Sequence, residues 1–149
     1  MEMDAILIVE DNEDDIILTE CALEDAGIAV PVKVVPNADE AMAYLNGKGK
    51  YGNRSAHPMP SVIFIDLWLP GKSGHDLLAW MRERSDLNEI VRVVLTGSDD
   101  PADLKKAREF GANAYVRKPL TVDQLTSPGR NLQNLLRRRP VSAEIVSSH

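Results

Sequence analysis

The chain has 149 residues, 44% of them hydrophobic and 27% charged, with 17 basic side chains against 23 acidic ones for a net charge of -6. That is enough apolar material for one sizeable core and too much for a disordered chain, and the negative balance argues against a nucleic-acid or anionic-membrane partner. The single cysteine, Cys21, excludes an internal disulfide, no apolar run approaches the roughly 20 residues of a membrane helix, and Met1 to Val9 lacks the basic start of a signal peptide, so the expected location is the cytoplasm.

Short apolar runs alternate with amphipathic stretches. Ala5 to Val9 is a continuous apolar run that ends in Glu10-Asp11. A helical stretch follows, with Ile16, Leu23 and Ala26 on one face, Cys21 and Ala22 alongside as packing residues, and Gly27 as a stop. Val32 to Val35 is a more polar strand and Ala38 to Leu45 a short helix. Asn46 to Pro60, with Gly47, Gly49, Gly52, Pro58 and Pro60, reads as a long surface loop. Val62 to Ile65 is a strand ending at Asp66, and Leu77, Leu78 and Met81 mark the third helix, whose Trp80 reads as a packing or interface residue. Val91 to Leu95 is a strand ending at Thr96-Gly97. Asp100 as N-cap and Pro101 at the first helical position then open a helix carrying Leu104 and Ala107. Ala114 to Val116 ends near Lys118-Pro119. Leu125, Leu132 and Leu136 mark a last helix that Pro128-Gly129 should kink or delay, with Arg137, Arg138 and Arg139 as a solvated end. Pro140 to His149 shows no periodicity.

Five strands and five helices in alternation predict an α/β fold, a doubly wound parallel sheet in three α/β/α layers. The expected domain is 1–139, with 140–149 a C-terminal tail and no output domain. In such sheets a ligand sits beyond the carboxyl ends of the strands. Four of those ends carry Glu10-Asp11, Asp66, Thr96 and Lys118. Singly, each has an ordinary reading: a loop-capping aspartate, acids favouring a helix start (as Glu13, Asp14 and Asp15 are read), a turn cap, a surface lysine. Together on one rim they suit another purpose. Clustered carboxylates need a cation, and oxygen donors without His or Cys select magnesium or a similar ion. A hydroxyl and an ammonium beside them fit the oxygens of a phosphoryl group passed to an aspartate. His57, His75 and His149 are scattered, with no metal-like pairing.

The motifs Leu7-Ile8-Val9-Glu10-Asp11-Asn12, Ile65-Asp66-Leu67 with Pro70-Gly71 and Gly74, Val94-Leu95-Thr96-Gly97, and Lys118-Pro119 resemble those of two-component response regulator receiver domains, over roughly Ala5 to Leu136. The resemblance implies a flavodoxin-like five-stranded sheet of order 2-1-3-4-5. It implies a single-domain regulator that takes a phosphoryl group from a histidine kinase onto Asp66 and signals by a conformational switch. By the same resemblance it would be an acceptor with slow self-dephosphorylation rather than an enzyme. Asp11 and Asp66 would ligate Mg2+, or Mn2+ in its place, with Glu10 acting through water and the Trp68 backbone carbonyl as a further ligand. Thr96 and Lys118 would contact the phosphoryl group, Lys118-Pro119 would be cis, and Tyr115 would be the switch aromatic that moves inward as Thr96 moves to the phosphate; a half-buried strand tyrosine is the other reading.

The Glu10 to Asp15 entry, the Gly-rich loop and the missing output domain resemble regulators that partner bacterial phytochrome kinases. Some of these form homodimers through the last helix or a C-terminal arm. The implied partner is a sensor histidine kinase, bacteriophytochrome among them, or a phosphotransfer protein. Trp68 is bulkier than the family's usual residue at that place and is expected to slow loss of phosphate. The competing readings are a flavin or nucleotide binder, disfavoured by an acidic turn after the first strand; an aspartyl-phosphate hydrolase, disfavoured by Trp68; and a degenerate docking scaffold or phosphate sink.

Overall fold

In the computed structural model, residues 5–126 and 146–148 are described. The strands are β1 (Ile6–Val9), β2 (Val32–Val35), β3 (Val62–Ile65), β4 (Val91–Thr96), β5 (Ala114–Arg117) and β6 (Val146–Ser148). The helices are α1 (Glu13–Asp25), α2 (Ala38–Asn46), α3 (Gly74–Arg82), α4 (Pro101–Glu109) and α5 (Val122–Thr126). All pairings are parallel, and β1 to β5 take the expected order 2-1-3-4-5. The expected five strands are present, and one short strand extends them. Val146–Ser148, from the segment read as a tail without periodicity, is a sixth strand paired with β5 in the register Ala114↔Val146, Tyr115↔Ser147, Val116↔Ser148. Three residues are too few for a two-fold pattern to show in a sequence. What recruits them is the open edge of β5, whose N–H and C=O groups need partners.

Helices cover both faces because the strands are apolar on both. Leu7, Val9, Ile63, Ile65 and Val94 pack with Ala41, Tyr44, Leu77, Leu78, Met81 and Ala107 of α2, α3 and α4. Ile6, Ile8, Phe64, Val93 and Val116 pack with Ala22 and Leu23 of α1 and Leu125 of α5. Alternate residues of one strand thus feed two cores, as a covered parallel sheet demands. The helices begin where the chain supplies acceptors for their free N–H groups. Asn12 accepts from Asp15, Asn37 from Glu40, Ser73 from Asp76 in a reciprocal capping box, and Asp100 from Ala102 with Pro101 behind it.

Other expectations change in detail. Cys21 is exposed rather than packed, as are Ile17 and Leu18. The buried stripe of α1 runs through Thr19, Ala22 and Leu23, and Cys21 lies about 200° of helix rotation from Leu23. The long loop is a built substructure. Its 3-10 turn, Gly49–Gly52, buries Tyr51 against Tyr44 and His57, with ring centroids 5.1 Å and 5.2 Å away. Arg54 ties it down through the carbonyls of Tyr44 and Leu45. Trp80 is partly buried against the core, under the Arg84 guanidinium. Pro128-Gly129 and Arg137 to Arg139 lie outside the described residues. No helix among the described residues is long and apolar enough to cross a membrane.

Candidate functional site

The site forms where β1, β3 and β5 end. Glu10 and Asp11 follow β1 directly, Asp66 follows β3, and Lys118 follows β5. The sheet register sets Val9 beside Ile65, so the residues after them emerge together. Glu10 and Asp66 are buried and Asp11 is exposed, and one oxygen from each lies within 4.8 Å of the others. Three hard oxygen donors at that separation fit a divalent cation of the magnesium or manganese kind. The Trp68 amide donates to Asp66 Oδ1 at 3.1 Å, holding the carboxylate at the strand end, while the Trp68 side chain is 63% exposed.

Lys118 reaches back across this cluster. Its Nζ lies 2.6 Å from Glu10 Oε1, 2.8 Å from Asp15 Oδ2 and 3.2 Å from Asp66 Oδ2. The Lys118-Pro119 peptide is cis, as expected. Burial alone would lower the Lys118 pKa, but its bonds to Asp15 and Glu10 and the charge of Asp66 outweigh that and raise it. Burial pushes Glu10 up to about 7, the charge of Asp66 adds to the shift, and Lys118 opposes it. A cation must displace that proton. Divalent-cation affinity should therefore fall by up to about ten-fold per pH unit below 7 and level off above it. Magnesium titrations of tryptophan fluorescence at pH 6, 7 and 8 measure this, and a flat profile would take Glu10 out of the ligand set.

Thr96 is fully buried. Its Oγ1 accepts from the Ser98 N–H at 3.3 Å and its carbonyl accepts from the Lys118 N–H at 2.7 Å, which fixes the β4 and β5 ends together. Tyr115 is 2% exposed and its hydroxyl donates to the Ser98 carbonyl at 3.0 Å. The ring therefore holds the inward position and is more than half buried. The structure brings Glu10, Asp11, Asp66 and Lys118 into one cluster, and links Thr96 and Tyr115 through Ser98.

Asp15 was grouped by sequence with the helix-start acids, yet it is a direct partner of Lys118. The available signal was its place four residues after Asp11, at the same end of α1. His75 also gains a place. It is buried, and its Nε2 lies 3.3 Å from the Asp103 carbonyl, bracing α3 against α4.

Residues 6–128 match the response regulator receiver domain model. Response regulator Rcp1 of Synechocystis sp. is 34% identical over 120 residues, 80% of either chain. The Mn(2+)-bound form of response regulator Rcp1 superimposes with a TM-score of 0.70 at 33% identity, covering 90% of this chain and 87% of that one. The phosphorylated cyanobacterial phytochrome response regulator RcpA gives 0.72 at 35%, covering 83% and 86%. The bacteriophytochrome response regulator AtBRR gives 0.74 at 39%, covering 84% and 89%. With the strand order, the acidic cluster and its lysine already in place, these matches establish that the chain belongs to the receiver-domain family of two-component response regulators.

Proposed function

We propose that this receiver is charged on Asp66 by a histidine kinase and signals through the β4–α4 region. The observation that carries the reading is Lys118, whose ammonium reaches the Asp66 carboxylate from the end of β5, beside a carboxylate trio suited to a cation. An Asp66 oxygen attacks the phosphorus of a phosphohistidine. The O–P bond forms as the P–N bond breaks, and the electron pair stays on the imidazole nitrogen. Lys118 meets the charge of the phosphoryl oxygens, and the Trp68 amide keeps the second Asp66 oxygen turned away. Magnesium, held by Glu10, Asp11 and Asp66, would neutralise charge on the carboxylates and the incoming group.

Thr96 supplies a hydroxyl on the same rim. Movement of this hydroxyl, which accepts from the Ser98 N–H, to donate to a phosphoryl oxygen would alter the loop on which Tyr115 is tied, biasing α4 between two positions. The protein is an acceptor that loses its phosphate slowly by hydrolysis. The names of RcpA and AtBRR support a phytochrome-type kinase as partner. Since β6 pairs with β5 of its own chain, a homodimer through this C-terminal strand would exchange it between copies.

Phosphotransfer from a panel of histidine kinases, followed by acid-labile label on the protein, tests the reading. Label should require magnesium and be absent from Asp66→Asn; label that persists in that variant would overturn it. Trp68, beside the acceptor and open to solvent, should shield the acyl phosphate from water. Trp68→Asn should shorten its half-life by about three- to ten-fold, the equivalent of roughly 1 kcal/mol of barrier. An unchanged half-life would remove Trp68 from the reset step.

A further inference from the structure

Lys118 has three N–H donors, and three carboxylates take them: Glu10, Asp15 and Asp66. A lysine ammonium on its flexible stem has little preferred direction, so its partners decide where it stands. Two of the three belong to the cation cluster, whereas Asp15 stands outside it. A bound cation draws on Glu10 and Asp66, and phosphorylation turns the Asp66 carboxylate into an acyl phosphate. Asp15 is the partner that both events leave to Lys118.

The position of Asp15 is itself built. Its N–H is capped by Asn12 Oδ1 at 3.0 Å, and its carbonyl accepts the hydroxyl of buried Thr19 at 2.9 Å. The first turn of α1 is thereby fixed at both main-chain groups, and the carboxylate meets a lysine 103 residues further along the chain. A helix-start charge needs no such partner. Glu13 and Asp14 occupy the same first turn, and both are exposed.

We propose that Asp15 is a positioning residue for phosphoryl capture, anchoring the Lys118 ammonium beside Asp66 when Glu10 is drawn to the cation. The inference rests on Asp66 being the phosphoacceptor. It predicts a division of effects: loss of Asp15 weakens binding of the phosphoryl group and leaves binding of the cation nearly alone.

The test is a titration of the full chain with magnesium, and then with beryllofluoride at saturating magnesium, read by tryptophan fluorescence. Asp15→Asn should weaken beryllofluoride binding about five-fold, the scale of a part-exposed ion pair, and change magnesium affinity by less than about two-fold. Asp15→Glu should recover most of the loss, since the longer carboxylate still reaches Lys118. In a Lys118→Gln background, titrated to millimolar beryllofluoride, Asp15→Asn should add nothing. The inference is overturned if Asp15→Asn binds beryllofluoride like wild type, or if its effect persists in the Lys118→Gln background and so belongs to the helix start. Failure of the wild-type chain to bind beryllofluoride would instead overturn the Asp66 reading, and this inference with it. Asp15→Ser, measured in parallel with thermal melts of every variant, supplies the comparison if the asparagine destabilises α1.

Discussion

Gly74→Ala should unfold about 10 °C below the wild-type protein, and what remains folded should take up phosphate poorly. A methyl group at Gly74 would stand 2.4 Å from the Asp66 carbonyl oxygen, 2.8 Å from the Leu67 Cα and 3.0 Å from a methyl of Ile65. Two of these are backbone atoms of the segment that carries Asp66. That segment has nowhere to retreat, because Ile65 is paired with Val9 on one side and Val94 on the other, and Leu67 is fully buried. The Gly74 N–H also donates to the Leu67 carbonyl at 3.0 Å, so α3 cannot slide away without losing that bond. Alanine favours a helix over glycine by up to about 1 kcal/mol. Overpacking costs about 1–3 kcal/mol, and contacts this short to fixed backbone put this site at the upper end, so the clash wins. A thermal melt decides the first half of the prediction and labelling of Asp66 the second. A melting temperature within a degree or two of wild type would show that α3 is free to move outward.

Lys118→Met should lower the phosphotransfer rate by about 10²- to 10³-fold, the usual cost of removing a charge-stabilising donor from a reacting oxyanion. The same change should destabilise the cation-free protein by about 2–4 kcal/mol at pH 8, because it leaves the buried Glu10 and Asp66 facing each other with their shared ammonium gone. The loss should shrink as pH falls. Glu10 already has its pKa raised to about 7 from the ordinary 4.5, chiefly by burial, and removing Lys118 removes an influence that holds it down. A carboxyl whose folded pKa exceeds its unfolded one binds more protons when folded, so between the two values stability rises as pH is lowered. Chemical denaturation at pH 6 and pH 8 measures the difference. Added magnesium should raise the variant's melting temperature more than the wild type's, since the cation takes over the missing charge. An equal loss at both pH values would mean that the carboxylates are held apart by something other than Lys118.

Most of this site could be read from the chain because its residues fall at punctuated places. Glu10, Asp66, Thr96 and Lys118 each end an apolar run, and a parallel sheet turns four run ends into one rim. Asp15 does not end a run. It lies in a helix start already rich in acids, where dipole compensation accounts for any single one, so only the path of Lys118 separates it from Glu13 and Asp14. The inward ring of Tyr115 is likewise a tertiary outcome, set by the Ser98 carbonyl 17 residues away. Cys21 was misplaced because a 13-residue helix with apolar side chains on several sides, Ile17 and Leu18 among them, does not announce its buried face by pattern. The aromatic packing inside residues 46–60 was hidden by glycine and proline. These residues predict irregular backbone correctly and say nothing about what packs within it.

The contact between Lys118 and Asp15 spans 103 residues, and that between Lys118 and Asp66 spans 52. Contacts this distant in sequence close only after the intervening chain has found its place. A nascent or partly folded chain that lacks β5 presents the Asp66 carboxylate without its lysine. On the proposed function, the pocket would authenticate the molecule: a kinase would load phosphate efficiently only onto chains that have completed their sheet.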